Sequence, residues 1–237
     1  MNRYEQIVAV DIDILAKVPA FDRLVPLTLE RLAQEATVVN RQPQEAFYLQ
    51  DDPPAGLFAL ISGRVKLFRR SQERTQILAI LMPGECFGAE TLPEDASSPY
   101  AATALTPATA AYIPPEVLRA LLIDCPELRV VLVELVSGRL RQFVSLVHNL
   151  AFRDVAARLA TVLLALAETD GEPFDDGIRV DSLLSQQELA AMVGTAREVV
   201  YRTFKKFERD GIVRRTRKYI FILDSDRLGD ISRQESR

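Results

Sequence analysis

Arg197, Glu198 and Arg202 form a compact set of hydrogen-bonding side chains near the C-terminal end of the chain. Arg197 and Glu198 are adjacent and Arg202 follows about one helical turn later, so on a helix all three lie on one exposed face. An arginine can bind guanine O6 and N7 with two hydrogen bonds, and a glutamate can accept one from cytosine N4. These side chains are therefore suited to contact the edges of G·C pairs.

Two short predicted helices, separated by Gly194, position this set. Ser185 and Glu188 have the spacing of a capping box for the first helix, and we expect Thr195 and Glu198 to form another for the second. Two helices joined by a turn at a glycine, with the charge on the second, are typical of a helix-turn-helix. In that motif the N-terminal residues of the second helix enter the major groove of DNA.

Positive charge continues beyond the second helix. Residues 197–218 contain nine Lys or Arg and three acids, a local charge of +6 in a chain whose net charge is −4. The segment from Ile212 to Leu223 has apolar ends suited to two strands and a basic middle suited to a wing tip, although a solvated basic hairpin is the alternative. The predicted DNA phosphate contacts are Ser185, Gln187, Thr195, Lys205, Lys206, Arg214, Arg215, Arg217 and Lys218.

A predicted helix that opens at Pro126 has apolar residues at heptad spacing. Such a seam winds a left-handed coiled coil, and its simplest partner is the same helix of a second copy. The alternative is a helix buried against its own domain. A hinge is expected where Asn149 and the Arg153-Asp154 pair interrupt the seam. The predicted dimer seam comprises Val133, Val136, Leu140, Phe143, Val147 and Leu150.

The first half of the chain has a different pattern. From about Phe21 to Ile113 short apolar runs alternate with turns, which predicts strands and a small antiparallel barrel or roll. The Pro114-Pro115 pair then predicts a helix over residues 116–123. Another helix is expected from Val155 to Ala167, followed by a loop around residues 175–177.

Composition excludes several functional classes. There is no apolar run long enough for a membrane span and no signal-peptide pattern, so we expect a cytoplasmic protein without a membrane partner. Two cysteines and one histidine are too few for a disulfide framework, a structural zinc site or most histidine-based catalysis. The sequence contains no candidate pair of nucleophile and base. We therefore expect no enzymatic activity, no metal and no cofactor.

Several motifs resemble those of the CRP/FNR family, the cyclic-AMP receptor protein and its relatives. The resemblance covers nearly the whole chain, and the most specific part is the DNA-binding motif. The matching segments are GRV at 63–65, PGECFG at 83–88, NLAFRDV at 149–155, RLA at 158–160, SQQELA at 185–190 and VGTAREVVYR at 193–202.

This resemblance implies an α+β architecture with an N-terminal β-roll of the cyclic-nucleotide-binding, jelly-roll-like type, a long dimerisation helix and a winged helix-turn-helix. The corresponding ranges are 1–125, 126–152 and 153–237. It also implies a homodimer that binds a palindrome of TGTGA-like half-sites in double-stranded DNA and has RNA polymerase as a further partner. Ala196 stands where relatives often have serine, so one backbone contact to DNA differs here.

The ligand-binding chemistry of the family is less well matched. Cyclic-nucleotide members have a glutamate directly after Phe-Gly and an arginine about ten residues later, whereas Ala89 follows Gly88 here and residues 75–118 contain no Lys or Arg. Cyclic AMP is therefore not the expected effector, and a cyclic-nucleotide-responsive protein with a non-standard pocket is the alternative. The candidate pocket residues are Gly88, Ala89, Glu90, Tyr100, Phe143 and Val144.

Other effector chemistries are also poorly matched. Two separated cysteines cannot hold an iron–sulfur cluster, and His148 beside the hinge is a poor haem ligand. A thiol sensor at Cys86 or Cys125 is less expected than an inert buried thiol, because neither has flanking basic residues. The remaining alternatives are an uncharged or unusual small ligand, or no ligand at all. A regulatory subunit of an enzyme is the competing class, and the intact DNA-binding motif argues against it.

Overall fold

The computed structural model describes residues 10–72, 74–92, 97–175, 177–181 and 184–235. The chain divides into two compact units, one ending at Gln142 and the other beginning at Phe143. The predicted α+β architecture is confirmed: a β-sheet domain comes first, then a long helix, then a helix-turn-helix.

Eight strands of the first unit form two antiparallel four-stranded sheets, as expected for a roll. One sheet has the order β1-β8-β3-β6 and the other β2-β7-β4-β5. The strands are β1 Thr37–Arg41, β2 Ala46–Tyr48, β3 Leu57–Ser62, β4 Val65–Ser71, β5 Arg74–Leu81, β6 Cys86–Phe87, β7 Ala101–Ala104 and β8 Ala108–Ile113.

Aromatic side chains fill the interior of the roll. Phe58 stacks on Phe87 with ring centroids 5.0 Å apart and on Tyr112 at 4.8 Å. Phe47 meets Phe58 and Phe87 edge to face, and all of these rings are buried. Gly88 follows β6 with φ of +92°, and a Cβ there would lie 2.2 Å from the carbonyl oxygen of Gly56, so no larger residue fits.

Among the described residues, three α-helices accompany the roll: α1 Ile12–Leu15, α2 Pro26–Glu35 and α3 Pro115–Asp124. The prediction of strands from Phe21 onward is wrong at α2. Pro26 occupies the first helical turn, and Thr28, Leu32 and Ala33 are buried at the spacing of one helix face. This spacing of the buried residues is typical of a helix. The strand pattern of the residues that follow led to the wrong prediction of strands here. The helix predicted over 116–123 is confirmed as α3.

The long helix α4 runs without interruption from Pro126 to Phe152, past Asn149. It ends at the predicted hinge, where Asp154 caps α5 Val155–Asp170 by accepting a hydrogen bond from the Ala157 amide at 2.8 Å. Among the residues that the structure describes, no helix is both long and apolar enough to cross a membrane.

The second unit surrounds the helix-turn-helix with a small antiparallel sheet of order β11-β12-β10-β9. The residues predicted as a loop around 175–177 include the start of β10, so that prediction missed a strand pair. The helix α8 packs against α5. The elements are β9 Glu172–Phe174, β10 Gly177–Asp181, α6 Gln186–Val193, α7 Arg197–Arg209, β11 Val213–Arg215, β12 Tyr219–Ile222 and α8 Ser225–Ser232.

Candidate nucleic-acid interface

The turn between α6 and α7 is built as the sequence predicted at its first helix. Ser185 accepts a hydrogen bond from the Glu188 amide at 3.2 Å, and the Glu188 carboxylate accepts one from the Ser185 amide at 3.0 Å, which completes the capping box. Gly194 then takes a left-handed conformation with φ of 71° and ends α6. The cap engages the Ser185 hydroxyl, which was also a predicted phosphate contact.

The predicted capping box of the second helix is wrong. The cap position is Ala196, whose side chain has no oxygen, and α7 begins at Arg197. Thr195 belongs to the turn, because its amide donates to the carbonyl oxygen of Ala190 at 3.0 Å. The turn therefore uses one more residue than expected, and Glu198 lies at the second position of the helix instead of the third.

Helix α7 has two distinct faces. Val200, Phe204 and Phe207 are buried against the domain. The three predicted base-contacting residues, Arg197, Glu198 and Arg202, are all exposed. This amphipathic arrangement presents the three polar side chains together on the solvent side.

The same face carries a further exposed side chain that is not among the predicted site residues. Tyr201 lies one turn after Arg197, and the Lys205 ammonium sits 6.0 Å from its ring centroid. Its spacing of four residues from Arg197 was a usable indication. Lys205, a predicted phosphate contact, also pairs with Glu208 at 2.7 Å, and this hydrogen bond raises the pKa of Lys205.

The basic wing is a hairpin of β11 and β12. Two of its arginines lie against aromatic rings: the Arg214 guanidinium is 4.5 Å from the ring centroid of Phe221, and that of Arg215 is 5.2 Å from Phe204. Arg217 and Lys218 are exposed at the tip. The aromatic contacts restrict Arg214 and Arg215 and leave the tip residues as the freer cations.

A surface groove of about 440 Å³ lies where the start of α6 meets the wing. Ser185, Gln186, Arg215 and Arg217 are among the residues that line it. Gln187, Thr195 and Lys206, the other predicted phosphate contacts, lie on α6, the turn and α7. The predicted phosphate contacts thus come from four consecutive elements of one domain.

The apolar seam of α4 is largely uncovered within one copy of the chain. Val133, Leu140 and Val147 are 65%, 62% and 64% exposed, and Val136 is also exposed. Phe143 and Leu150 are half-buried. Val144, one of the predicted pocket residues, is 60% exposed and lies beside this seam, four residues after Leu140 and three before Val147.

The candidate effector pocket in the roll contains tyrosine side chains. The Tyr48 hydroxyl donates to a Glu90 carboxylate oxygen at 3.0 Å, and Tyr48 and Tyr100 are buried with ring centroids 6.4 Å apart. Burial, followed by the nearby Glu90 carboxylate, raises the pKa of both tyrosines. Gly88 and Ala89 lie beside this cluster, at the start of the short 3-10 helix Ala89–Thr91.

Two arginines approach this segment from helices, and sequence analysis missed both. Arg139 on α4 donates to the carbonyl oxygen of Cys86 at 3.2 Å, and Arg119 on α3 donates to that of Leu92 at 3.0 Å. The positive charge of Arg139 also acts on Tyr48 and Tyr100. The absence of basic residues from 75 to 118 therefore does not mean an absence of positive charge, because only the tertiary structure brings these helices to the segment.

Both cysteines are buried, Cys125 beside the Arg31 guanidinium at 3.6 Å. Burial, followed by the charge of Glu85, raises the pKa of Cys86 to about 12. Since the thiolate is the reactive form, we expect the Cys86 thiol to be inert at neutral pH.

Comparisons with known proteins agree with this arrangement. Residues 38–125 match the cyclic nucleotide-binding domain, and residues 157–231 match the Crp-like helix-turn-helix domain. The chain is 30% identical over 217 residues to the CRP-like cAMP-activated global transcriptional regulator of Mycobacterium tuberculosis, covering 91% of this chain and 97% of that protein.

Two solved structures illustrate the shared fold. A transcriptional regulator of the CRP/FNR family from Eubacterium rectale superimposes with a TM-score of 0.77 at 19% identity, covering 92% of this chain and 99% of that one. The c-di-GMP responsive global regulator CLP of Xanthomonas campestris gives 0.73 at 26% identity, covering 84% and 99%. With a β-roll, a long helix and an exposed basic face on its helix-turn-helix, the chain belongs to the CRP/FNR family of DNA-binding transcription regulators.

Proposed function

We propose that the protein is a homodimer that binds a palindrome of TGTGA-like half-sites in double-stranded DNA and is not controlled by cyclic AMP. The observation that carries the DNA specificity is the exposed set of Arg197, Glu198 and Arg202 at the start of α7. Each bidentate pair with a correct base contributes about 1–3 kcal/mol of discrimination. The TGTGA-like sequence itself rests on the family resemblance of this motif.

The homodimer is supported by the exposed apolar stripe on α4. Isolated exposed apolar residues are common, but a row at heptad spacing along a helix of 27 residues is typical of a coiled-coil interface. Two copies related by a twofold axis would place their α7 helices in successive major grooves, about 34–36 Å apart. The palindrome follows from this symmetry.

Independence from cyclic AMP is supported by the contents of the roll. The buried Tyr48 and Tyr100 side chains and the half-buried Glu90 contact one another where an effector would bind, and Glu90 would repel a phosphate. Relatives of this chain are named for different effectors, cyclic AMP in Mycobacterium tuberculosis and c-di-GMP in Xanthomonas campestris, so membership in the family does not fix the ligand.

Arg139 favours the alternative, a regulator that responds to a cyclic nucleotide through a non-standard pocket. Its guanidinium lies next to the tyrosine and glutamate cluster and carries the positive charge that a phosphate needs. Rearrangement of Glu90 would have to expose it. A cytoplasmic location and contact with RNA polymerase are further parts of the proposal, which follow from regulation of transcription.

The test is fluorescence anisotropy of the full-length protein with a labelled duplex that contains a TGTGA-type palindrome, with and without cyclic AMP. We expect tight binding that a scrambled duplex does not reproduce and that cyclic AMP does not change. Equal binding to both duplexes contradicts the sequence specificity. A large gain in affinity with cyclic AMP supports the non-standard pocket instead, and Arg139→Met should then abolish the gain.

A further inference from the structure

Gln186 and Arg197 face each other across the helix-turn-helix, although eleven positions separate them. Gln186 is the first residue of α6 and Arg197 is the first residue of α7. The Arg197 Nε donates a hydrogen bond to the Gln186 Oε1 at 3.2 Å. Within the described part of the chain, this is the only side-chain hydrogen bond made by any of the three base-contacting residues.

The atoms used in this contact leave the useful part of the arginine available. A guanidinium has five N–H donors, one on Nε and two on each Nη. Because Gln186 occupies the Nε donor, both Nη groups remain for an end-on fork toward guanine O6 and N7. The contact therefore holds the stem of the side chain without blocking the end that would bind the base.

The chemistry of the acceptor also matters. A carboxylate in this place would neutralise Arg197 and compete with DNA for it, as Glu208 does for Lys205 on the same helix. An amide oxygen is neutral, so the full positive charge of Arg197 remains available to the DNA. Glu188, the nearest carboxylate along α6, is engaged by the Ser185 cap.

We propose that Gln186 is a positioning residue that orients the Arg197 guanidinium for bidentate binding of guanine and so strengthens the preference for guanine at that position of the half-site. This inference rests on the proposed base-contacting role of Arg197. An arginine without such a partner samples many rotamers and loses this freedom when it binds. A side chain that is already oriented loses less, which favours the complex with guanine.

The test compares Gln186→Met with the wild-type full-length protein by fluorescence anisotropy. Methionine keeps the length and the helix propensity of glutamine but has only a weak acceptor. Two duplexes are used, the TGTGA-type palindrome and the same palindrome with 7-deazaguanine, which lacks the N7 acceptor, at the guanine that Arg197 contacts. The variant Arg197→Ala identifies this guanine. Replacing the guanine that Arg197 contacts by 7-deazaguanine should weaken binding of the wild-type protein but should not change the affinity of Arg197→Ala.

We expect Gln186→Met to bind the guanine duplex about three- to tenfold more weakly, the range of one modest hydrogen bond. Its affinity for the 7-deazaguanine duplex and its melting temperature should equal those of the wild type. Gln187→Met is the matched control, because Gln187 is the exposed neighbour on the same helical turn and is proposed to contact phosphate. It should weaken binding to both duplexes by the same factor.

Three outcomes overturn the proposal. Unchanged or tighter binding of Gln186→Met to the guanine duplex would mean that the hydrogen bond between Gln186 and Arg197 does not contribute to binding or competes with DNA. An equal loss on both duplexes would mean that Gln186 acts on the fold or on phosphate and does not orient Arg197. Failure of the wild-type protein to bind either duplex overturns the proposed function and this inference together, whereas the first two outcomes overturn this inference alone.

Discussion

Arg158 on α5 donates a hydrogen bond from its Nε to the carbonyl oxygen of Val193, the last residue of α6, at 2.7 Å. Its Nη1 donates to the carbonyl oxygen of Arg153 at 2.7 Å and approaches that of Leu150 at 3.5 Å. One half-buried guanidinium therefore satisfies carbonyl groups near the end of α4, in the link between α4 and α5, and at the end of α6. Partial burial lowers the pKa of Arg158, but a guanidinium remains charged at neutral pH.

Replacing Arg158 should destabilise the second unit. In Arg158→Met the carbonyl oxygens of Val193 and Arg153 lose their donor, so we expect the free energy of unfolding to fall by about 2–3 kcal/mol. Arg158→Lys should recover part of the loss, because a lysine keeps the charge but not the planar fork. Urea denaturation followed by circular dichroism measures both.

The matched control is Arg227→Met. Arg227 is exposed, and its side chain donates one hydrogen bond, to the carbonyl oxygen of Asp210 at 3.0 Å. Its loss should cost about 0.5 kcal/mol, since water can replace an exposed donor. Similar losses from Arg158→Met and Arg227→Met would contradict the bridging role of Arg158.

The apolar stripe of α4 gives a second prediction. Leu140 is 62% exposed in one copy, so Leu140→Asp should leave the fold of the single chain intact. In a coiled coil the same change places two carboxylates in an apolar interface, which should convert the dimer to a monomer. Sedimentation equilibrium at micromolar concentration measures the change.

Ser145→Asp serves as the control for that substitution. Ser145 is exposed on the same helix but lies off the heptad positions, so the added charge should leave the dimer intact. A monomeric wild-type protein would contradict the proposed dimer, and a dimer that survives Leu140→Asp would place the interface elsewhere. Dissociation by both variants alike would mean that the effect of the added charge is not specific to the apolar seam.

The sequence was sufficient for features that depend on short-range patterns. The Ser185 and Glu188 spacing, Gly194 and the alternation of exposed and buried residues on α7 are local, and each is found in the structure. Where local patterns compete, the sequence misleads: it predicts strands where α2 forms, and it predicts a cap at Thr195 although the cap position is Ala196. In both cases the difference concerns which of two adjacent patterns the chain satisfies.

Contacts between distant segments could not be predicted in this way. The approach of Arg139 to Cys86 spans 53 positions, and that of Arg119 to Leu92 spans 27. These contacts leave no periodic pattern in the sequence, because they depend on how the helices pack on the roll. The charge around the candidate pocket was consequently underestimated, whereas the charge of the wing, which is local, was not.

Variants of the proposed base contacts and of the proposed phosphate contacts should differ in how their affinity for DNA depends on sequence and on salt concentration. Arg202→Ala should bind the palindrome about 5- to 100-fold more weakly and lose discrimination against a changed G·C pair. Arg217→Ala, at the exposed tip of the wing, should weaken binding to all duplexes alike and lower the slope of log K against log salt by about 1. Anisotropy titrations at several salt concentrations measure both quantities, and an identical response of the two variants would contradict the assigned roles.

Alkaline pH should destabilise the roll, because the buried thiol and phenol groups of the roll remain protonated only in the folded protein. The pKa of Cys86 is about 12 in the folded protein and about 8.5 in an unfolded chain, so between these values the unfolded chain releases a proton that the folded protein retains. The contribution of Cys86 to stability is therefore fully present below about pH 8.5 and is lost at about 1.4 kcal/mol per pH unit from there to about pH 12. Tyr48 and Tyr100, whose pKa values are also raised, should steepen the loss above about pH 10.

Urea denaturation between pH 7 and 11 tests this expectation. Cys86→Ala should reduce the slope of stability against pH in the range from about 8.5 to 10, where the thiol of the unfolded chain ionises before its tyrosines do. The native protein should also fail to react with a thiol reagent at pH 8, since both cysteines are buried. Rapid labelling of Cys86 in the native state, or a slope that Cys86→Ala does not change, would show that this thiol is accessible to water and leave a redox role open to it.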